Sequence, residues 1–302
     1  MELKKEDILK QYKWLKNKNA KFIISADYDG LICASFLSHV LDWKLVGYYN
    51  MEKIWISDEG IKNRTDIIWV DLNILSQNGK SIGGHITMID DVIPDGFTTS
   101  CNPNIIAKIN YKQFNKKFPF STLIFLFWLF DYHIPKNEFS KFLILHSDNV
   151  WMKLQSYKSN VENWTRLFSD FNWENLFSSI DTVSFERKVD QIYYPKLMKI
   201  HACSGFSKLK SKHLHIRSRE LKFNPDWDED IILNIFELLA AQLNWSPPEL
   251  PEIIKKVDGE KHTIKLSNLN GDLLDFLNVN KIFSYAITSP NTLKYTIFNK
   301  IK

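Results

Sequence analysis

The stretch "FIISADYDGLICASFL", residues 22–37, joins an apolar run to two aspartates and then to a second apolar segment. The first run does not alternate with polar residues, which is typical of a strand buried on both faces of a parallel sheet. Asp27 and Asp29 follow it, and after Gly30 the apolar residues recur at helical spacing. The pattern therefore predicts a strand, a turn and a helix, with two carboxylates at the end of the strand.

The same strand-then-acid pattern occurs twice more. "DIIWVDLN" (66–73) ends its apolar run at Asp71, and "HITMIDDV" (85–92) ends at Asp90 and Asp91. Strands that alternate with helices indicate a parallel α/β sheet, in which the carboxyl ends of the strands form the ligand crevice. We therefore expect the acids at these strand ends to meet in one place.

A predicted helix, "EFSKFLILHSDNVW" (138–151), adds one more acid, Asp148. Carboxylates crowded into one crevice repel each other unless protons or cations share the site. Mg²⁺ and Mn²⁺ prefer oxygen ligands, and two such ions about 3.5–4 Å apart can clamp a phosphoryl group. A single Asp-x-Asp-Gly is also a common turn or helix cap, so the recurrence of the pattern is what favours a metal site.

Residues 20–150 resemble the DHH phosphoesterase family, which includes RecJ-like exonucleases, oligoribonuclease-type phosphodiesterases and manganese pyrophosphatases. The resemblance follows the family's motifs in order: "SADYDG", "IIWVDLN", "GGHITMIDDVIP", the "NP" of "SCNPN", and "LILHSDN". It departs from the family at Ser25, where the first motif has His or Asp, and at Asp91 and Val92, where the third motif has two histidines.

The resemblance implies that Asp27 binds one metal ion, that Asp29 binds the other, that Asp71 bridges them, and that Asp148 completes the second. Asp91 would act as a further ligand, because a carboxylate can replace an imidazole for a hard ion. The catalytic set it implies is Asp27, Asp29, Asp71 and Asp91. Candidates for supporting these ligands are Ser25, His85, Asp90 and His146. The implied cofactor is Mn²⁺ or Mg²⁺, with two ions if the site is intact and none if it is degenerate.

A basic stretch, 199–222, contains seven Lys/Arg and one Glu. Residues 212–219 alternate, so one strand face would carry polar side chains able to hold a phosphodiester backbone. The residues predicted to bind substrate are Lys212, His213, His215, Arg217 and Arg219. "HLHIRSR" resembles the Arg-Ser strand of the substrate-binding domain that often follows the DHH domain. A solvated basic edge strand fits the same pattern.

"DYDGLI" also resembles the Asp-x-Asp-Gly-Thr-Leu opening of haloacid-dehalogenase-like phosphatases, in which the first Asp is a covalent nucleophile. That scheme needs a Ser or Thr after the second strand, and "VDLN" supplies no hydroxyl there. The late acids, "MIDDVIPD", also come too early in the chain for a usual core of that type.

Composition excludes several broad classes. The chain has 302 residues, 44% hydrophobic and 25% charged, which is typical of a globular protein. A net charge of +4 is too small to require a nucleic-acid partner. Cys33, Cys101 and Cys203 show no metal or disulfide spacing.

The charged N-terminus lacks an apolar signal core, so we expect a cytoplasmic protein. The apolar segment 118–130 is too short to span a membrane and predicts a core helix.

The predicted fold is α/β, with a parallel-sheet DHH-type domain at 1–155, a helical connector at 156–198 and a smaller mixed α+β domain at 199–302. A helix is predicted at 226–245 and a hairpin at 281–300. The predicted function is divalent-metal-dependent hydrolysis of a phosphodiester, as a nuclease or nucleotide phosphodiesterase, by a metal-activated water. The alternative is a catalytically degenerate protein that binds nucleic acid, nucleotide or a protein partner as a subunit of a larger complex. No membrane partner is expected, and homo-oligomerisation is left open.

Overall fold

The computed structural model describes residues 3–75, 79–178, 180, 183–200 and 222–298. The chain divides into two compact units that interleave along the sequence. The first, called here the helical unit, consists of Met1–Lys10, Ala26–Val40 and Pro119–Pro248. The second, called the sheet unit, consists of Gln11–Ser25, Leu41–Phe118 and Glu249–Lys302. The division into three consecutive domains stays a prediction.

The sheet unit contains a seven-stranded mixed sheet with the strand order β6-β5-β4-β1-β2-β3-β7. Its strands are β1 Lys21–Ser25, β2 Lys44–Tyr49, β3 Lys53–Ser57, β4 Ile68–Val70, β5 Lys80–Ile82, β6 Ser100–Cys101 and β7 Ile253–Asp258. The strands from β6 to β2 pair in parallel, and β3 and β7 add antiparallel pairs at one end. The predicted α/β class is thus confirmed, with a sheet that is mostly parallel.

The strand order reverses beside β1. The chain passes from β1 to β2 on one side, whereas β4 pairs with the other side of β1, with Phe22 opposite Ile68. Phe22, Ile23 and Ile24 are fully buried, as the unbroken apolar run predicts. In open α/β sheets, ligands bind outside the carboxyl ends of the strands at such a reversal. The ends of β1 and β4 are therefore the favoured place for a site.

A second, three-stranded antiparallel sheet also lies in the sheet unit, in the order β8-β10-β9. Its strands are β8 Glu260–Lys265, β9 Ser284–Ser289 and β10 Thr292–Ile297. The predicted C-terminal hairpin is confirmed, because β9 and β10 pair in antiparallel fashion. The sequence patterns do not predict β3 or β7, and residues 253–258 join the sheet that contains β1 by pairing with β3.

The structure describes thirteen α-helices. They are α1 Lys5–Gln11, α2 Tyr28–Leu41, α3 Asp58–Lys62, α4 Pro103–Ile106, α5 Thr122–Leu129, α6 Glu138–His146, α7 Val150–Ser156, α8 Lys158–Leu167, α9 Trp173–Phe177, α10 Val183–Lys188, α11 Tyr194–Lys199, α12 Glu229–Leu243 and α13 Leu273–Val279. The helical unit holds α5 to α12 and nearly all of α1 and α2. Every residue of α5 is buried, which confirms the predicted core helix. Across the described residues, no helix combines the length and hydropathy needed to cross a membrane.

One helix prediction needs correction. The helix predicted over 138–151 breaks between α6 and α7, where Asp148 and Asn149 have φ angles of 52° and 53°. A left-handed residue cannot continue a right-handed helix, and Asp and Asn are among the residues that adopt this conformation most readily.

Candidate metal centre

Asp71 follows β4 directly and is almost completely buried, with 2% of its surface exposed. Its φ of 64° lies in the left-handed region, which Asp tolerates better than most residues. Its backbone N–H donates to the carbonyl oxygen of Ile82 at 2.8 Å, so the neighbouring strand β5 holds this conformation. The predicted position of Asp71 at a strand end is confirmed.

Two side chains of the sheet unit contact the Asp71 carboxylate. The Ser25 hydroxyl, at the end of β1, donates to Oδ2 at 2.8 Å. Nε2 of His85 lies 3.2 Å from Oδ1. Two cis ligands of an octahedral ion, each about 2.1 Å from it, are about 3 Å apart. The Asp71–His85 spacing thus suits a hydrogen bond or a shared cation.

His85 reaches Asp71 because β5 ends early, at Ile82. Gly83 then passes close to the neighbouring chain: a Cβ at this position would lie 3.3 Å from the carbonyl carbon of Asp71. A side chain would force the backbone of Asp71 or of Gly83 to move. Gly83 therefore allows the turn that brings His85 beside the Asp71 carboxylate.

The third predicted strand, 85–92, is wrong. Ile89 and Val92 exchange backbone hydrogen bonds of 3.2 and 2.9 Å, so Asp90 and Asp91 form a two-residue turn. Asp91 is exposed, and Asp90 pairs with Lys112 at 2.5 Å. The alternating apolar residues of "HITMIDDV" resembled a strand, but the parallel ladder had already ended at Ile82. The structure thus places His85, and not Asp90 or Asp91, three residues after the end of the parallel strand β5.

Three further acids belong to the helical unit. Asp27 accepts a hydrogen bond of 3.1 Å from the Gly30 backbone N–H and so satisfies a donor in the first turn of α2. Asp29, in that first turn, accepts a hydrogen bond from the backbone N–H of Asp148. All three are partly buried, and Oδ1 of Asp148 lies 3.9 Å from Nζ of Lys153. The structure therefore brings Asp29 and Asp148 together, although they are 119 residues apart.

His146 is buried among aromatic rings of the helical unit. Its ring centroid lies 5.0 Å from that of Tyr28 and 5.4 Å from that of Phe142. Burial lowers its pKa to about 4, so the imidazole is neutral near pH 7. These contacts describe a packed core residue, and its predicted supporting role stays a prediction.

All five residues predicted to bind substrate lie outside the described residues: Lys212, His213, His215, Arg217 and Arg219. Lys222, the last residue of the basic stretch, is described and exposed. It forms an antiparallel bridge with Asp27, and the next residue, Phe223, donates its N–H to the Ala26 carbonyl at 3.4 Å. The end of the basic stretch therefore lies beside Asp27 within the helical unit.

The sequence predicts only a supporting role for His85, whereas the structure places its imidazole in contact with the buried Asp71 carboxylate. The sequence signal for its position is the Gly83–Gly84 pair, since two glycines after a short apolar run can end a strand and allow a close approach of the backbone.

No protein-family model, no curated protein and no solved structure matches this chain.

Proposed function

We propose that this protein is a divalent-metal-dependent phosphoesterase of the DHH type that hydrolyses a phosphodiester of nucleic acid or a nucleotide in the cytoplasm. The observation that carries the proposal is the buried Asp71 carboxylate with the His85 imidazole 3.2 Å from it. Both lie at the reversal of strand order, where α/β proteins bind ligands.

The donor set fits a transition-metal ion better than Mg²⁺. Asp71 offers carboxylate oxygens, and His85 offers a ring nitrogen. Carboxylates suit Mg²⁺ and Mn²⁺, whereas imidazole favours transition metals, so the mixed set points to Mn²⁺. When bound, such an ion supplies the positive charge that activates water and stabilises phosphoryl oxygens.

The chain's own residues orient the carboxylate. Ser25 donates to Oδ2 of Asp71, which leaves Oδ1 on the side of His85. The Ser25 hydroxyl therefore orients the Asp71 carboxylate. The family's first motif has a metal-binding His or Asp at the same position. Asp91 is left out of the proposed centre because it is exposed in a turn.

We assign the second group of ligands to Asp27, Asp29 and Asp148. Asp29 contacts the backbone of Asp148, which keeps two of these acids adjacent. Together, the three carboxylates of the helical unit would hold an ion of their own.

The test is cleavage of a labelled single-stranded oligonucleotide of about ten nucleotides and of bis(p-nitrophenyl) phosphate, with EDTA-treated protein and added Mn²⁺. Wild-type protein should cleave only with the metal, Asp71→Asn should be inactive, and Asp42→Asn should behave as wild type because Asp42 is an exposed surface acid. Full activity in Asp71→Asn would contradict the proposal.

Mn²⁺ binding by wild-type protein without cleavage would instead support the non-catalytic alternative. In that case oligonucleotide binding should need no metal, and it should weaken with salt and in the double variant Arg217→Ala/Arg219→Ala.

A further inference from the structure

Asn104, near the start of α4, is fully buried and uses both polar atoms of its side chain. Its Nδ2 group donates to the carbonyl oxygens of Gly84, at 2.9 Å, and of Ile86, at 2.8 Å. Its Oδ1 accepts a hydrogen bond of 2.6 Å from the backbone N–H of Phe118. One amide therefore holds the residues on both sides of His85.

The carbonyl of His85 itself is held by a different side chain. Nζ of Lys117 donates to it at 3.0 Å and to the carbonyl of Ile287 at 3.2 Å. Three consecutive carbonyls, of Gly84, His85 and Ile86, thus accept hydrogen bonds from side chains. The parallel ladder of β5 ends at Ile82, so these bonds take the place of strand pairing over this turn.

Asn104 is itself fixed from the neighbouring strand. The side chain of Asn102, directly after β6, accepts a hydrogen bond of 2.8 Å from the Asn104 backbone N–H. Nδ2 of Asn102 also donates to Oδ1 of Asn73 at 3.3 Å, and Asn73 stands two residues after Asp71. Buried amides therefore connect the segments that carry Asp71 and His85.

We propose that Asn104 is a positioning residue, which holds the backbone of residues 84–86 so that the His85 imidazole is kept against Asp71. It does not touch the proposed ion, and it acts through His85. Its role in metal binding rests on the proposed function, whereas its role in holding the imidazole does not. The two hydrogen bonds that the buried Asn104 side chain donates also stabilise the fold. The experiment must therefore distinguish a change in the position of the His85 ring from a loss of protein stability.

Asn104→Asp is the most informative variant because it keeps the size of the side chain and the acceptor for Phe118. It replaces the two donated hydrogen bonds with a negative oxygen facing two carbonyl oxygens. Asn110→Ala is the matched control, since Asn110 caps the nearby turn Tyr111–Lys116 and its loss affects stability but no atom of His85. If Asn104→Asp does not fold, Asn104→Ala removes the same two donated hydrogen bonds without adding a charge and is measured by the same readouts.

The first readout is the pair of ring ¹⁵N chemical shifts of His85 in metal-free protein at one fixed pH. They should differ from wild type in Asn104→Asp or Asn104→Ala and match it in Asn110→Ala. Unchanged shifts in a folded Asn104→Asp, or in Asn104→Ala if that is the variant that folds, would overturn the proposal, whether or not the protein binds a metal.

The second readout is calorimetric titration with Mn²⁺. Loss of a group that orients a ligand typically weakens metal binding about 10- to 100-fold, and we expect a loss of this size in Asn104→Asp and wild-type affinity in Asn110→Ala. Equal affinity in Asn104→Asp and wild type would overturn the proposal. Absence of Mn²⁺ binding in wild type would instead contradict the proposed function, and the ring shifts would still decide the role of Asn104.

Discussion

Two acidic segments of the sheet unit look alike in sequence and differ in structure. In each, an apolar run ends in aspartate, at Asp71 and at Asp90–Asp91. Asp71 is buried and contacts Ser25 and His85, whereas the exposed Asp91 lies in a turn and Asp90 pairs with a surface lysine. An acid after an apolar run thus indicates a site only where the run pairs within the sheet.

The largest difference should appear when each acid loses its charge. Asp71→Asn should weaken Mn²⁺ binding more than about 100-fold, because loss of a ligand exceeds the 10- to 100-fold effect of losing a supporting group. Asp91→Asn should change it less than about twofold, since exposed charges contribute little. Calorimetric titration of both variants measures this. If Asp91→Asn weakened Mn²⁺ binding strongly, Asp91 would be a metal ligand after all.

Tyr49 shows that a polar group at a strand end can be structural. It ends β2, and its hydroxyl lies 2.6 Å from the Ser284 hydroxyl oxygen. Burial raises the pKa of Tyr49 to about 12, against an ordinary value of 10.0. Since the folded state keeps this proton longer than the unfolded state, its contribution to stability is complete below pH 10 and is lost as pH rises towards about 12.

Over that pH range, the free energy of unfolding should fall by up to about 3 kcal/mol through Tyr49 alone. Tyr49→Phe should remove this part of the pH dependence and cost about 1 kcal/mol at neutral pH, where the hydrogen bond is lost. Urea unfolding at a series of alkaline pH values measures both. If the two proteins lose stability in parallel, Tyr49 is not the titrating group.

Gly83 offers a smaller, local test of how the turn brings His85 to Asp71. In Gly83→Ala the added Cβ would lie 3.3 Å from the backbone of Asp71 and Leu72, which is tighter than ordinary packing. We expect a loss of about 1 kcal/mol in the free energy of unfolding and weaker Mn²⁺ binding, because overpacking moves the backbone. If both values match wild type, close approach at Gly83 does not control the centre.

The smallest effect should come from the pair in the turn. Asp90→Asn removes the contact with Lys112, and both side chains are well exposed. Surface ion pairs contribute about 0–1 kcal/mol, and we expect less than about 0.5 kcal/mol here. Urea unfolding at low and high salt measures it. A loss above about 2 kcal/mol would mean that the turn has a structural role like that of Asp71.

The elements that sequence predicted well are those whose signal is local. The apolar runs of β1 and β4 are buried as expected, and so is the acid that follows β4. A strand that is buried on both faces needs an unbroken apolar sequence, whichever strands it pairs with. The class of fold and one member of the candidate site followed from these segments.

The elements that were missed depend on distant partners. β7, with the sequence "IIKKVD", is largely exposed and becomes a strand by pairing with β3. β5 has only three residues, and its pairing with β4 and β6 decides that it ends at Ile82. The helix predicted over 138–151 is likewise interrupted at Asp148, whose backbone N–H donates to the Asp29 carboxylate. Local sequence patterns do not predict this contact between distant residues. The position of His85 likewise follows from where β5 ends, so local sequence patterns do not predict it.

The most direct test of the proposed metal centre is anomalous diffraction from crystals soaked in Mn²⁺. The Asp71–His85 geometry predicts a peak about 2.2 Å from both Oδ1 of Asp71 and Nε2 of His85. A crystal with saturating Mn²⁺ but no peak between these two atoms, or with its peak at Asp90–Asp91 instead, would contradict it.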